Sequence, residues 1–130
     1  MTRRTPRKVH HILPMPRLDL EASPPFGREV AQEVDFLIEL LDLKPAEAIL
    51  DVAAGAGRHA LELARRGFTH VTAMDPSDQL LGIGSRCAAA LDLKVRFLKG
   101  DAQKPAGRAE YDAALLLGGV WWVRNLALYG

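Results

Sequence analysis

Between residues 26 and 43, apolar side chains fall at Val30, Val34, Leu37, Ile38 and Leu41, separated by acids at Glu29, Glu33, Asp35 and Glu39. Steps of three and four residues place the apolar set on one face of a helix and the acids on its other faces. Pro45 ends the segment. Beyond it the texture changes to short apolar runs at 49–52, 71–74, 95–98 and 111–117, each short enough for a buried strand. Helical stretches over 58–66 and 78–91 separate the first three runs. Gly67 closes the first helix, and Ser77 or Asp78 can cap the second. Residues 1–25 carry no such period, and Pro6, Pro14 and Pro16 interrupt any helix there, so this stretch reads as a solvated arm ahead of a folded unit over 26–130.

Strands alternating with helices predict a parallel sheet, because parallel neighbours need a long connection that a helix fills compactly. The fold class is α/β, a Rossmann-like doubly wound parallel sheet of about four strands with flanking helices. Ligands of such sheets sit outside the carboxyl ends of the strands. The residues just after each strand are therefore the ones that carry chemistry.

Composition agrees with one globular unit: 130 residues, 48% hydrophobic and 25% charged. No apolar run approaches the ~18–20 residues of a membrane span, and the N-terminus lacks an apolar secretory core. The single cysteine, Cys87, cannot form an internal disulfide, which fits a reducing compartment. These features together predict a soluble, cytoplasmic protein with no membrane partner. Formal charge is +1, but Arg3, Arg4, Arg7, Lys8 and Arg17 crowd the arm, leaving 12 basic against 16 acidic residues in the remaining 113. A basic arm can dock on nucleic acid or a membrane or act as a transit segment, although its prolines favour a solvated tail.

The run at 49–52 leads into Ala53, Ala54, Gly55, Ala56, Gly57, Arg58 and His59. Glycines here admit positive φ and close approach of a ligand, and the following helix offers free N–H groups. Gly55 to Ala60 also fits the dinucleotide pattern G-x-G-x-x-G/A, which suggests an NAD(P)-dependent oxidoreductase. The other strand ends argue differently. Asp75 follows the second run, 18 residues past Gly57, at the place of an acid that accepts from ribose hydroxyls, and Asp101 follows the third. With Asp51, three carboxylates surround one crevice. Asp51 beside the glycine loop repels a diphosphate and attracts a ligand carrying ammonium and sulfonium charges.

In this order, the block from Ile49 to Ala60, then Val71 to Ser77, Lys99 to Ala102 and Tyr111 to Leu117 resemble the successive blocks of class I S-adenosylmethionine-dependent methyltransferases over about residues 28–119. The resemblance implies S-adenosyl-L-methionine as cofactor. By the same resemblance Asp51, Ala53, Gly55 and Gly57 hold the methionine moiety, Asp75 with Pro76 the ribose, Asp101 and Ala102 the adenine, and Leu117 and Gly118 touch cofactor or acceptor. Ala53 stands where the family carries glycine, and Tyr111 with Asp112 matches a mainly structural pair. Methyl transfer from a sulfonium needs alignment and exclusion of water more than a catalytic side chain. No catalytic residue is assigned.

Gly118, Gly119, Val120 and Trp121 lack the Asn/Asp-Pro-Pro-aromatic block of nucleic-acid amino methylation, so a small-molecule acceptor is expected and nucleic acid is not. His59 on a first helical turn reads as a solvated or packing residue, Cys87 as buried packing, and His10, His11 and His70 lack metal spacing. Complete members of the family have seven strands, so the chain is expected to be a cofactor-binding portion lacking the later ones. The apolar strand over 111–117 would then be an edge prone to self-association. A non-catalytic binding module is the remaining alternative.

Overall fold

The computed structural model of the protein describes residues 8–9, 27–101 and 111–116, the first two through their backbone alone. The elements in chain order are β1 (Lys8–Val9), α1 (Arg28–Leu41), β2 (Ala48–Val52), α2 (Arg58–Arg65), β3 (His70–Asp75), α3 (Asp78–Ala90), β4 (Arg96–Lys99) and β5 (Ala113–Leu116). All strand pairs are parallel, in the order β1-β5-β2-β3-β4. The three helices and four strands predicted from periodicity are all present within one or two residues of their expected bounds.

One expectation changes. The strand at 113–116 is not an open edge along its whole length, because Lys8 and Val9 pair with Ala113 and Ala114. A parallel backbone ladder needs no side-chain pattern to form, so a two-residue strand inside a polar, Pro-rich arm leaves no periodic signature. The rest of the arm, at 1–7 and 10–25, lies outside the described residues.

Strand alternation divides the core. Ile49, Val71, Ala73, Ala113 and Leu115 face the apolar stripe of α1 (Val30, Val34, Leu37, Leu41) and Ala60 and Leu63 of α2. Leu50, Val52, Met74, Tyr111 and Leu116 form a second cluster. Burial on both faces explains why these strands read as continuous apolar runs. Each fully buried aliphatic side chain contributes roughly 1.5–3 kcal/mol relative to an exposed one. Asp112 joins the starts of two strands: its N–H donates to the Ala48 carbonyl at 2.7 Å and its Oδ2 accepts from Ala48 N at 2.9 Å. That is a structural task.

α1 and α2 are tied by charge as well as by packing. Glu62, wholly buried, accepts from Arg65 Nε at 3.0 Å and Arg66 Nε at 2.7 Å, while Arg66 also donates to the Ala31 carbonyl at 2.8 Å and pairs with Asp35. Burial pushes the Glu62 carboxyl up, but the hydrogen bonds from Arg65 and Arg66 outweigh it and hold the group below the ordinary carboxylate range.

Candidate functional site

β2 and β3 carry Asp51 and Asp75 to the same end and the same face of the sheet, because each stands two residues beyond a core side chain, Ile49 and Ala73 respectively. Residues 53–57 then cross toward β3. Ala54 N donates to the Met74 carbonyl at 2.8 Å and Gly55 N to Asp75 Oδ2 at 2.9 Å. The other Asp75 oxygen accepts from Ser77 N at 2.9 Å. Asp75 is thus held between the glycine loop and the turn into α3, with a lone pair left on each oxygen. Ser77 is the cap of α3, its Oγ accepting from Leu80 N at 3.2 Å. Pro76 between them is exposed, and Asp101 is exposed one residue past Gly100, whose N–H donates to the Asp75 carbonyl at 3.2 Å.

The loop is strained at its first residue. Ala53 has φ +57°, as Gly55 (+64°) and Gly57 (+80°) also do in the left-handed region. An L-residue pays about 1–2 kcal/mol there, and glycine loses about 0.4–1 kcal/mol of that advantage to the greater freedom of its unfolded chain. Ala53→Gly should therefore raise stability by about 0.5–1 kcal/mol, read as a higher urea midpoint; an unchanged or lower midpoint would show that the loop is not left-handed at this position.

Asp51 is only 1% exposed and its Oδ2 has no hydrogen-bond partner. Burial pushes its carboxyl up to about 6; the His59 charge opposes this and the Asp75 charge adds to it. Arg58 Nη1 and the Tyr111 hydroxyl are also buried without a partner. The glycine loop beside Asp51 is open, since a Cβ on Gly55 would meet nothing within 4 Å. An orphaned acceptor next to an open backbone cradle fits the ammonium end of an amino acid.

The structure brings Asp51, Ala53, Gly55, Gly57, Asp75, Pro76 and Asp101 to one end of the sheet, while Ala102, Leu117 and Gly118 lie outside the described residues, as do Trp121 and Trp122. Two expectations are corrected. Glu33, expected on a face away from the apolar stripe, is buried, and His59, expected to be solvated or packing, is bonded to it, Nε2 to Oε2 at 2.5 Å. Periodicity could not foresee this because the acid is satisfied by a residue 26 positions away. Cys87 is half-buried rather than buried. Two further residues shape the site without having been singled out. Gly84 of α3 lies against the loop, where a Cβ would stand 2.3 Å from the Ala56 carbonyl oxygen, and the Phe97 ring packs beneath both Gly57 and Gly84. A visible signal was the pair Gly82 and Gly84 inside a helix, a costly choice that marks close packing.

Acidic strand ends around a glycine loop, on a parallel sheet whose order switches direction between β2 and β5, form the crevice of a Rossmann-like fold. The methyltransferase-domain family matches residues 49–128. The chain belongs to the class I S-adenosylmethionine-dependent methyltransferase family. It is similar to the glycine/sarcosine N-methyltransferase of Parasynechococcus marenigrum, 36% identical over 66% of this chain and 31% of that protein. It thus spans about a third of the length of the curated relatives it matches. Among solved structures, a putative S-adenosyl-L-methionine-dependent methyltransferase from Methanococcus maripaludis superposes with TM-score 0.69 at 19% identity, over 81% of this chain and 49% of that one. The tRNA (uracil-54, C5)-methyltransferase of Pyrococcus abyssi, solved with S-adenosyl-L-homocysteine, gives 0.54 at 23% identity over 66% and 20%. Among the described residues, no helix is long and apolar enough to cross a membrane.

Proposed function

We propose that the chain binds S-adenosyl-L-methionine at the carboxyl ends of β2, β3 and β4 and serves methyl transfer to a small-molecule acceptor. The observation that carries this reading is the buried, unpartnered Asp51 Oδ2 beside an open glycine loop. A dinucleotide brings a diphosphate to such a loop, and a buried carboxylate there opposes it; an ammonium group is attracted. Asp51 and the backbone of 53–57 hold the methionine end, the free lone pairs of Asp75 accept from the ribose hydroxyls, and Asp101 with Ala102 takes the adenine. The cofactor supplies a methyl group already activated by its sulfonium. The protein's part is to fix that group in line with the acceptor and to keep water out. Likeness to a glycine/sarcosine N-methyltransferase supports a small amine as acceptor.

Calorimetric titration of the whole chain with S-adenosylhomocysteine and with reduced nicotinamide dinucleotide tests the assignment. Binding of the first alone is expected. Binding of the dinucleotide alone would replace it with the oxidoreductase reading, and binding of neither would favour a non-catalytic module. Asp75→Ala should weaken S-adenosylhomocysteine by ~1.5–3 kcal/mol, the worth of charged hydrogen bonds to the ribose. An unchanged affinity would refute the role given to Asp75.

A further inference from the structure

Arg58 is the first residue of α2, directly after Gly57, and only 9% of it is exposed. An arginine guanidinium stays charged in proteins, so this is a buried positive charge, which is costly unless a group of opposite charge meets it. Nothing in the chain does. Its Nη1 has no hydrogen-bond partner, and Arg58 takes part in no ion pair among the described residues. The acids of the neighbouring elements are bound elsewhere: Glu33 to His59, Glu62 to Arg65 and Arg66, and Asp75 to the N–H groups of Gly55 and Ser77. Asp51, ahead of the loop, keeps its own Oδ2 unpartnered.

The place of this charge is fixed by the chain itself. Whatever rotamer the side chain takes, its covalent length keeps the guanidinium within about 7 Å of the Arg58 Cα, at the closing end of the glycine loop. That loop is tightly folded, since Gly57 N donates to the Ala54 carbonyl at 3.0 Å. The amide groups that open α2 add to the positive field, because Gly57 has no side chain to cap them. The loop is therefore flanked by an unpartnered acid before it and an unpartnered cation after it. A diphosphate would suit the second and be opposed by the first, whereas a carboxylate carried on the same small molecule as an ammonium group suits both.

We propose that Arg58 is a binding residue for a carboxylate, assisted by the uncapped start of α2. The inference rests on the functional reading above, which puts an amino-acid group on this loop. Two molecules bring a carboxylate there: S-adenosylmethionine, through its methionine end, and an acceptor that is itself an amino acid. Either one gives the guanidinium the counter-charge that the chain withholds.

Calorimetry on the whole chain compares S-adenosylhomocysteine with its decarboxylated analogue, which keeps the adenosine, the sulfur and the ammonium group, in the native protein, Arg58→Gln and Arg58→Lys. If the cofactor fills the site, the native chain prefers S-adenosylhomocysteine by at least about tenfold, Arg58→Gln loses that preference and Arg58→Lys keeps part of it. If the acceptor fills it, the preference is absent, and glycine titrated into the chain saturated with S-adenosylhomocysteine binds the native protein and not Arg58→Gln. A packing role would change the melting temperature of the variants and move neither measurement. A preference and a glycine response that are the same in native and Arg58→Gln chains, or absent from the native chain altogether, overturn the proposal. Failure of the native chain to bind either nucleoside overturns the functional reading instead.

Discussion

Asp51→Asn should make the unliganded protein more stable at neutral pH by about 2 kcal/mol while sharply weakening its hold on S-adenosylhomocysteine. The sign follows from burial. The Asp51 carboxyl goes from an ordinary 3.8 to about 6 in the folded chain. A group raised in this way contributes its stability below the unfolded value, and loses it as pH rises through the folded one. Above about pH 6 the native chain therefore carries a buried carboxylate at a free-energy cost of about 3 kcal/mol. An amide removes the charge but leaves polar atoms that need partners, which returns about 1 kcal/mol. Urea unfolding between about pH 4 and 8 reads the effect directly. The native chain should lose stability as pH rises through this window relative to the variant, whose own profile lacks the Asp51 contribution. Parallel profiles would mean that Asp51 is not buried as described. A stabilising substitution that abolishes binding marks a site held ready for a ligand rather than one built for the fold.

The difference between what the sequence made legible and what it hid has a physical pattern. Strand ends and the glycine loop were visible because they depend on local order: an apolar run, then small residues, then a cap, repeated at regular spacing. Asp51 and Asp75 were assigned to one crevice by their places at strand ends, and the structure adds that each lies at an even step from a core residue on the same face. Contacts between distant elements left little trace. Glu33, three residues past Val30 and four before Leu37, borders the apolar stripe of α1, but only the fold brings His59 to it. The pairing of Lys8 and Val9 with β5 depends on backbone groups that every residue carries. Asp75 was assigned to ribose recognition, yet both of its oxygens already accept backbone N–H groups, from Gly55 and Ser77, so the same carboxylate also shapes the loop. Ala53 occupies a position where the backbone is left-handed, and its departure from glycine is tolerated at the cost of local strain.

Gly84→Ala should destabilise the chain by about 1–3 kcal/mol and weaken S-adenosylhomocysteine binding at least about tenfold, although alanine is the better helix former. On propensity alone the change would stabilise α3 by about 1 kcal/mol. The added methyl, however, would lie 2.3 Å from the Ala56 carbonyl oxygen and 2.5 Å from Phe97 Cε1. Neither neighbour yields easily, because one is loop backbone and the other an aromatic ring packed against the core, where a Cβ on Gly57 would also stand 3.0 Å from the same ring atom. Relief must come from moving α3 away or pushing the loop out of the shape that Gly55 and Asp75 fix, and the second route carries the damage to the cofactor site. Gly82→Ala is the control on the same helix. Its methyl would meet only Arg86 Nη1, at 3.4 Å, the far end of a flexible side chain. That variant should gain about 0.5–1 kcal/mol and keep its affinity. Chemical unfolding and calorimetry on the two proteins therefore give opposite signs if α3 closes on the glycine loop as described, and the same sign if it does not.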